Sequence, residues 1–111
     1  MVEINCNQIT DRESLHNVFA AAFGFPVIYG RNMDAWIDCL TCLDDPSAGM
    51  TSIHVNPGEI LPLALHNASD FKARCPELFT AVVECAAFVN WRRIEKGEPA
   101  VLALSFYVSG A

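Results

Sequence analysis

Apolar residues recur along this chain at helical spacing in some stretches and as short blocks in others, and the order of the two kinds lays out its elements. Leu15, Val18, Phe19 and Ala22 follow Thr10-Asp-Arg-Glu13, a capping-box pattern, so a helix is predicted from about Asp11 to Phe23. Gly24 suits the position just past its end. A short loop from Phe25 to Arg31 carries Pro26 and Gly30, and Asn32 is a good N-cap for a second helix from Met33 to about Leu43. On that helix Met33, Trp36, Ile37, Leu40 and Leu43 gather on one side. Asp34, Asp38 and Thr41 gather on another, with Ile37 at the border.

Pro76 is placed to open a long helix that continues through Leu78, Phe79, Val82, Val83, Ala86 and Val89 to Lys96, with Gly97 as its stop. Arg92, Arg93 and Lys96 fall in its last turns, where cations complement the helix dipole, and they read as a solvated helix end. Asn67 is predicted to cap a short helix ending near Cys75, because Pro76 disfavours helical geometry in the residue before it. Three segments read as strands: Val2–Cys6, Thr51–Val55, and an apolar Ala100–Val108 suited to burial on both faces. Ile60–Leu65 is apolar but ambiguous. Strands separated by helical segments imply an α/β fold, a three-stranded parallel sheet packed by helices in a single domain over residues 1–111.

Charge narrows the partners. Thirteen acids against seven bases give a net charge of −6, a field that repels phosphate backbones and favours a basic protein partner. No nucleic-acid partner is expected. The apolar fraction of 52% is high for a chain of 111 residues and leaves room for a homodimer. The longest apolar run, Val18–Tyr29, is broken by Gly24 and Pro26 and falls short of the roughly 20 residues a membrane span needs. The acidic N-terminus has no signal-peptide character, and five cysteines without a disulfide spacing suit a reducing cytoplasm.

The chemistry concentrates in the second helix. Asp34 and Asp38 lie four apart, hence on one face, and like charges there are mildly destabilising unless a partner offsets them. Two carboxylates with waters can hold Mg²⁺, but no third acid or phosphate-binding loop stands nearby, so no metal and no cofactor is expected. Cys39-Leu-Thr-Cys42 sits well inside the helix, away from the N-terminal position that activates a redox pair, and reads as ordinary thiols. His16, His54 and His66 are scattered with no catalytic spacing to a nucleophile, and read as surface or turn residues. Trp36 and Trp91 read as packing residues, and Tyr29, beside flexible Gly30, as a contact residue.

The stretch Pro26-Val-Ile-Tyr-Gly-Arg-Asn-Met-Asp-Ala-Trp-Ile-Asp-Cys-Leu-Thr41, with its Tyr-Gly-x-Asn-x-Asp-Ala core and following Asp-Cys-Leu, resembles the barstar family, intracellular protein inhibitors of the guanyl-specific ribonuclease barnase. The resemblance is clear over about Ile9–Leu43, and this chain has extra residues between Pro46 and Pro76. It implies a non-enzymatic inhibitor whose second helix and preceding loop fill a nuclease active site. Asp38 matches the carboxylate that replaces the substrate phosphate, Asp34 a neighbouring acidic contact, and Gly30 and Asn32 the residues that position both. The surrounding contact surface would be Ile28, Tyr29, Arg31, Ile37 and Thr41. Ile28, Arg31 and Ile37 depart from the family pattern, and the acidic contact near the end of its last helix falls here in the basic stretch around Arg92. The expected partner is therefore a basic ribonuclease or related toxin, met by two aspartates that point outward with no internal partner. An immunity protein against another kind of toxin and a homodimeric structural module are the competing readings.

Overall fold

The structure, a computed structural model, describes residues 1–108. In chain order they form β1 (Val2–Asn5), α1 (Arg12–Phe23), α2 (Met33–Thr41), β2 (Leu61–His66), α3 (Ala68–Arg74), α4 (Pro76–Glu95) and β3 (Leu102–Phe106). The sheet runs β1-β2-β3 with both pairings parallel, so each neighbouring pair is linked by a crossover carrying two helices. Val2 and Ile4 stand opposite Leu63 and Leu65, which in turn stand opposite Leu104 and Phe106. This is the expected α/β architecture, a three-stranded parallel sheet packed by helices.

The middle strand is not where the sequence pattern put it. Thr51–Val55 forms no strand; β2 comes from the apolar Leu61–His66 run instead. A central parallel strand is covered on both faces and so needs consecutive apolar residues. Leu63, Ala64 and Leu65 are all buried, whereas Ser52 and His54 lie exposed. The polar groups of the 51–55 segment serve the helix ends: Ser52 N donates to Phe23 O at 2.9 Å and Val55 N to Leu43 O at 3.0 Å. These bonds satisfy carbonyls that a helix terminus leaves open. The third strand is likewise an edge, not a doubly buried core strand, with Ala103 and Phe106 exposed.

Helix ends differ in detail. The capping box of α1 is Asp11 with Ser14, one residue later than predicted: Ser14 N donates to Asp11 Oδ1 at 2.8 Å, and Asp11 N to Ser14 Oγ at 3.0 Å. Gly24 ends α1 in the left-handed conformation at φ 66°, and a Cβ there would lie 2.2 Å from Ser52 Oγ. Asn32 caps α2 as expected, accepting from Ala35 N at 2.8 Å. Asn67 does not cap α3; it adopts φ 61°, and its side chain donates to Asn5 Oδ1 at 3.1 Å.

The core lies between the helices and the sheet. Phe19, Phe23, Trp36, Leu40, Val82 and Val89 are fully buried with Ile4, Leu63 and Leu65. Phe19 meets Trp36 edge-on with centroids 5.4 Å apart, a favoured aromatic geometry. Two expectations at α4 fail. Trp91 is exposed rather than packed, and Arg93 is buried rather than solvated, at 2% exposure. Arg93 escapes the cost of burying a charge because every arm is engaged: Nε donates to Pro99 O, Nη1 to Thr41 O, and Nη1 and Nη2 to the two oxygens of Asp44. His16 is also buried, at 2% exposure, and is no surface residue.

Candidate functional site

Helix α2 and its leading loop form one continuous surface, and its shape follows from two local choices. The Asn32 cap starts the helix at Met33, which sets Asp34 in the first turn and Asp38 one turn on. The buried stripe of Trp36, Ile37 and Leu40 anchors the opposite side, so both aspartates are turned outward and lie exposed. Ile37, expected at the border of the contact surface, belongs to that buried stripe at 8% exposure. Thr41 is half-buried, with Oγ1 donating to Ile37 O at 2.6 Å within the helix.

The two carboxylates differ. Among the described residues Asp34 has no cation within 4.0 Å, and it borders a cleft of about 390 Å³ shared with Arg12, His16, Arg31 and Glu77. Asp38 is not bare. Arg92 reaches across from α4, and its Nη1 donates to Asp38 Oδ1 at 2.6 Å, with the side chains 37% and 51% exposed respectively. The expectation of two unpartnered aspartates is corrected on this point. Asp38 also borders a smaller hollow of about 110 Å³ with Ile28, Tyr29, Gly30 and Met50.

The loop is held by side chains that the sequence pattern assigned elsewhere. Tyr29, expected as a contact residue, is half-buried: its ring stacks obliquely on Phe25 at 4.6 Å, and its hydroxyl lies 2.6 Å from His16 Nδ1. Burial, then the neighbouring Cys39 thiol, raise the Tyr29 pKa, so its hydroxyl stays protonated. Burial, then Arg31 and Arg12, lower that of His16. A neutral imidazole accepting from the phenol satisfies both groups. Arg31 takes a left-handed conformation at φ 55° and folds back onto α1, donating from Nη2 to Asn17 Oδ1 at 2.8 Å. The loop's exposed apolar residues are Val27 and Ile28.

Sequence reasoning missed Arg92 and Met50 as parts of this surface, and His16 as the buried support beneath its loop. Periodicity places Arg92 and His16 on their own helices but says nothing of which elements meet, and Met50 lies in a connecting segment. The cysteines are unremarkable: Cys6, Cys39, Cys42, Cys75 and Cys85 are free thiols. Burial pushes Cys39 up to about 11, far from the activated range. Among the described residues no three of His, Cys, Asp and Glu gather as a metal-ligand set, and no helix is long and apolar enough to cross a membrane.

Fold and site together define a small α/β protein whose acidic second helix lies open at the surface. Residues 1–104 match the model of the family described as Barstar (barnase inhibitor), and the chain belongs to that family. A direct comparison with curated proteins finds no match.

Proposed function

We propose that this protein, acting as one domain in the cytoplasm, inhibits a barnase-type ribonuclease or a related basic toxin by placing α2 in its active site. The observation that carries the reading is the outward face of Asp34 and Asp38, lying inside the region matched to an inhibitor family. A site that binds phosphate gathers cationic donors, and a carboxylate held on a helix can accept several charge-assisted bonds from them. Asp38 takes the place of the phosphate, and Asp34 supplies a second anionic contact. Gly30 and Asn32 set the path of the loop into the helix, and Ile28, Arg31 and Thr41 form the margin of the contact. Tyr29 and Ile37 act from beneath, by holding the loop and the helix in place.

The Arg92 pair does not remove this role. An exposed ion pair in water contributes only about 0–1 kcal/mol, so a cleft offering several desolvated donors can displace it. The net charge of −6 adds long-range attraction for a basic enzyme. Family knowledge favours a binding protein over an enzyme, and no step of the reading needs a cofactor.

The test is inhibition of RNA cleavage by a panel of guanyl-specific ribonucleases, with wild type, Asp38→Asn and Asp34→Asn. Wild type should inhibit at least one enzyme, with affinity falling as salt rises, and Asp38→Asn should weaken it by roughly 100-fold or more. Lack of inhibition of every enzyme sinks the ribonuclease reading and turns attention to other toxins.

A further inference from the structure

Arg92 and Arg93 are neighbours in α4 with opposite surroundings. Arg93 is buried and bound through every nitrogen to groups that hold the end of the helix. Arg92 remains part exposed and, among the described residues, makes one side-chain bond, from Nη1 to Asp38 Oδ1 on α2 at 2.6 Å. Arg93 and Asp44 already provide a buried tie between α4 and the end of α2. An exposed pair adds little to such a tie, so stability does not account for the placement of Arg92 on the inhibitory face.

Its consequence for recognition is larger. Of the two anions on α2, a cleft approaching it meets Asp34 without an ion-pair partner among the described residues, and beside it a closed Asp38–Arg92 pair. Binding at Asp38 displaces Arg92, whose charge then stands at the edge of the contact with the target's cations. Like charges brought together in a partly dried interface disfavour the complex, whereas a carboxylate facing the freed guanidinium favours it. The surface thus selects a target by the pattern of its charge as well as by the sign.

We infer that Arg92 is a specificity-determining residue of this surface: it weakens binding at Asp38 by clefts that are cationic throughout, and favours a target that sets a carboxylate for Arg92 beside the cation it offers Asp38. This rests on the reading of α2 as the inhibitory face. One ion pair inside the free protein is exchanged for two across the complex, with no covalent step.

Barnase serves as the probe. Its dissociation constant would be measured by titration calorimetry against wild type, Arg92→Gln, Asp38→Asn and the double variant, each checked for folding by circular dichroism. Arg92→Gln should bind barnase at least about 10-fold tighter than wild type. The gain should vanish when both members of the comparison carry Asp38→Asn, a result that a merely structural tie between α2 and α4 would not give. Equal or weaker binding by Arg92→Gln, a gain that persists without Asp38, or no detectable binding by either protein overturns the inference. The underlying reading fails separately, when neither wild type nor Arg92→Gln inhibits any ribonuclease of the panel. An enzyme inhibited equally by both defeats only the role of Arg92.

Discussion

Arg93 and Asp44 face each other in a two-pronged contact, Nη1 to Oδ1 at 3.0 Å and Nη2 to Oδ2 at 2.7 Å, beneath the end of the helix that carries the acidic face. The same guanidinium holds Thr41 O at 2.8 Å, the last residue of α2. Helix α2 is thus fixed from below by a charge that the surface never sees.

Removing Asp44 leaves the Arg93 guanidinium buried without its counter-charge, which costs far more than the pair itself contributes. Asp44→Asn should therefore destabilise the protein by on the order of 3 kcal/mol in urea unfolding, and Arg93→Met should cost less because the Asp44 carboxylate it strands is part-exposed and can turn to water. Hydrogen bonds from Arg93 hold the Asp44 carboxyl below its usual pKa. Its stabilising effect is therefore complete above the unfolded value and is lost as pH falls through the folded one. The acid limb of the stability profile should flatten in Asp44→Asn.

His16 supplies a second pH dependence with a different window. Burial, Arg31 and Arg12 lower its folded pKa, so it stays neutral while the unfolded chain takes up a proton near pH 6.5. The unfolded state binds more protons there, and stability should decline as pH falls below about 6.5 toward the folded value. Melting temperatures between pH 7.5 and 5 should fall more steeply for wild type than for His16→Phe.

The His16–Tyr29 contact at 2.6 Å joins α1 to the loop that leads into α2. Tyr29→Phe leaves the buried Nδ1 without a donor, at a cost of about 1–3 kcal/mol. The loss should appear in unfolding midpoints, and the Tyr29 backbone amide, which donates to Pro26 O at 2.9 Å, should exchange faster with solvent as the loop loosens.

Gly24 admits almost no substitution. Its φ of 66° penalises any Cβ, and the Cβ would overlap Ser52 Oγ at 2.2 Å and Ser52 Cβ at 2.4 Å. Gly24→Ala should destabilise by more than the roughly 1 kcal/mol of the left-handed conformation alone. Gly24→Ala combined with Ser52→Gly should recover the steric part in the same unfolding assay.

Asn90 ties the long helix to the edge strand. Its Oδ1 accepts from Val101 N at 2.9 Å and Leu102 N at 3.0 Å, while Nδ2 donates to Leu102 O at 2.9 Å. Asn90→Ala would orphan these groups and should cost about 2 kcal/mol. Asn90→Asp keeps the acceptor, so Val101 and Leu102 amide exchange should be protected better in it than in Asn90→Ala.

Local pattern alone settled the helices that carry the site, the Asn32 cap, the Gly24 stop and the outward aspect of Asp34 and Asp38, because capping and 3.6-residue periodicity are properties of neighbouring residues. The resemblance over 26–41 likewise lies in contiguous residues. Tertiary structure alone decided which apolar run became the central strand: Thr51–Val55 and Leu61–His66 have comparable strand character, and the choice rests on which can be covered on both faces. It also decided the fates of the charged and aromatic side chains. Arg92 and Arg93 are adjacent in sequence, yet one is buried on Asp44 and the other lies on Asp38, because α4 carries consecutive residues to different neighbours roughly 100° apart. Long-range pairing of this kind depends on the packing of α2 against α4, and no short window of sequence contains both partners.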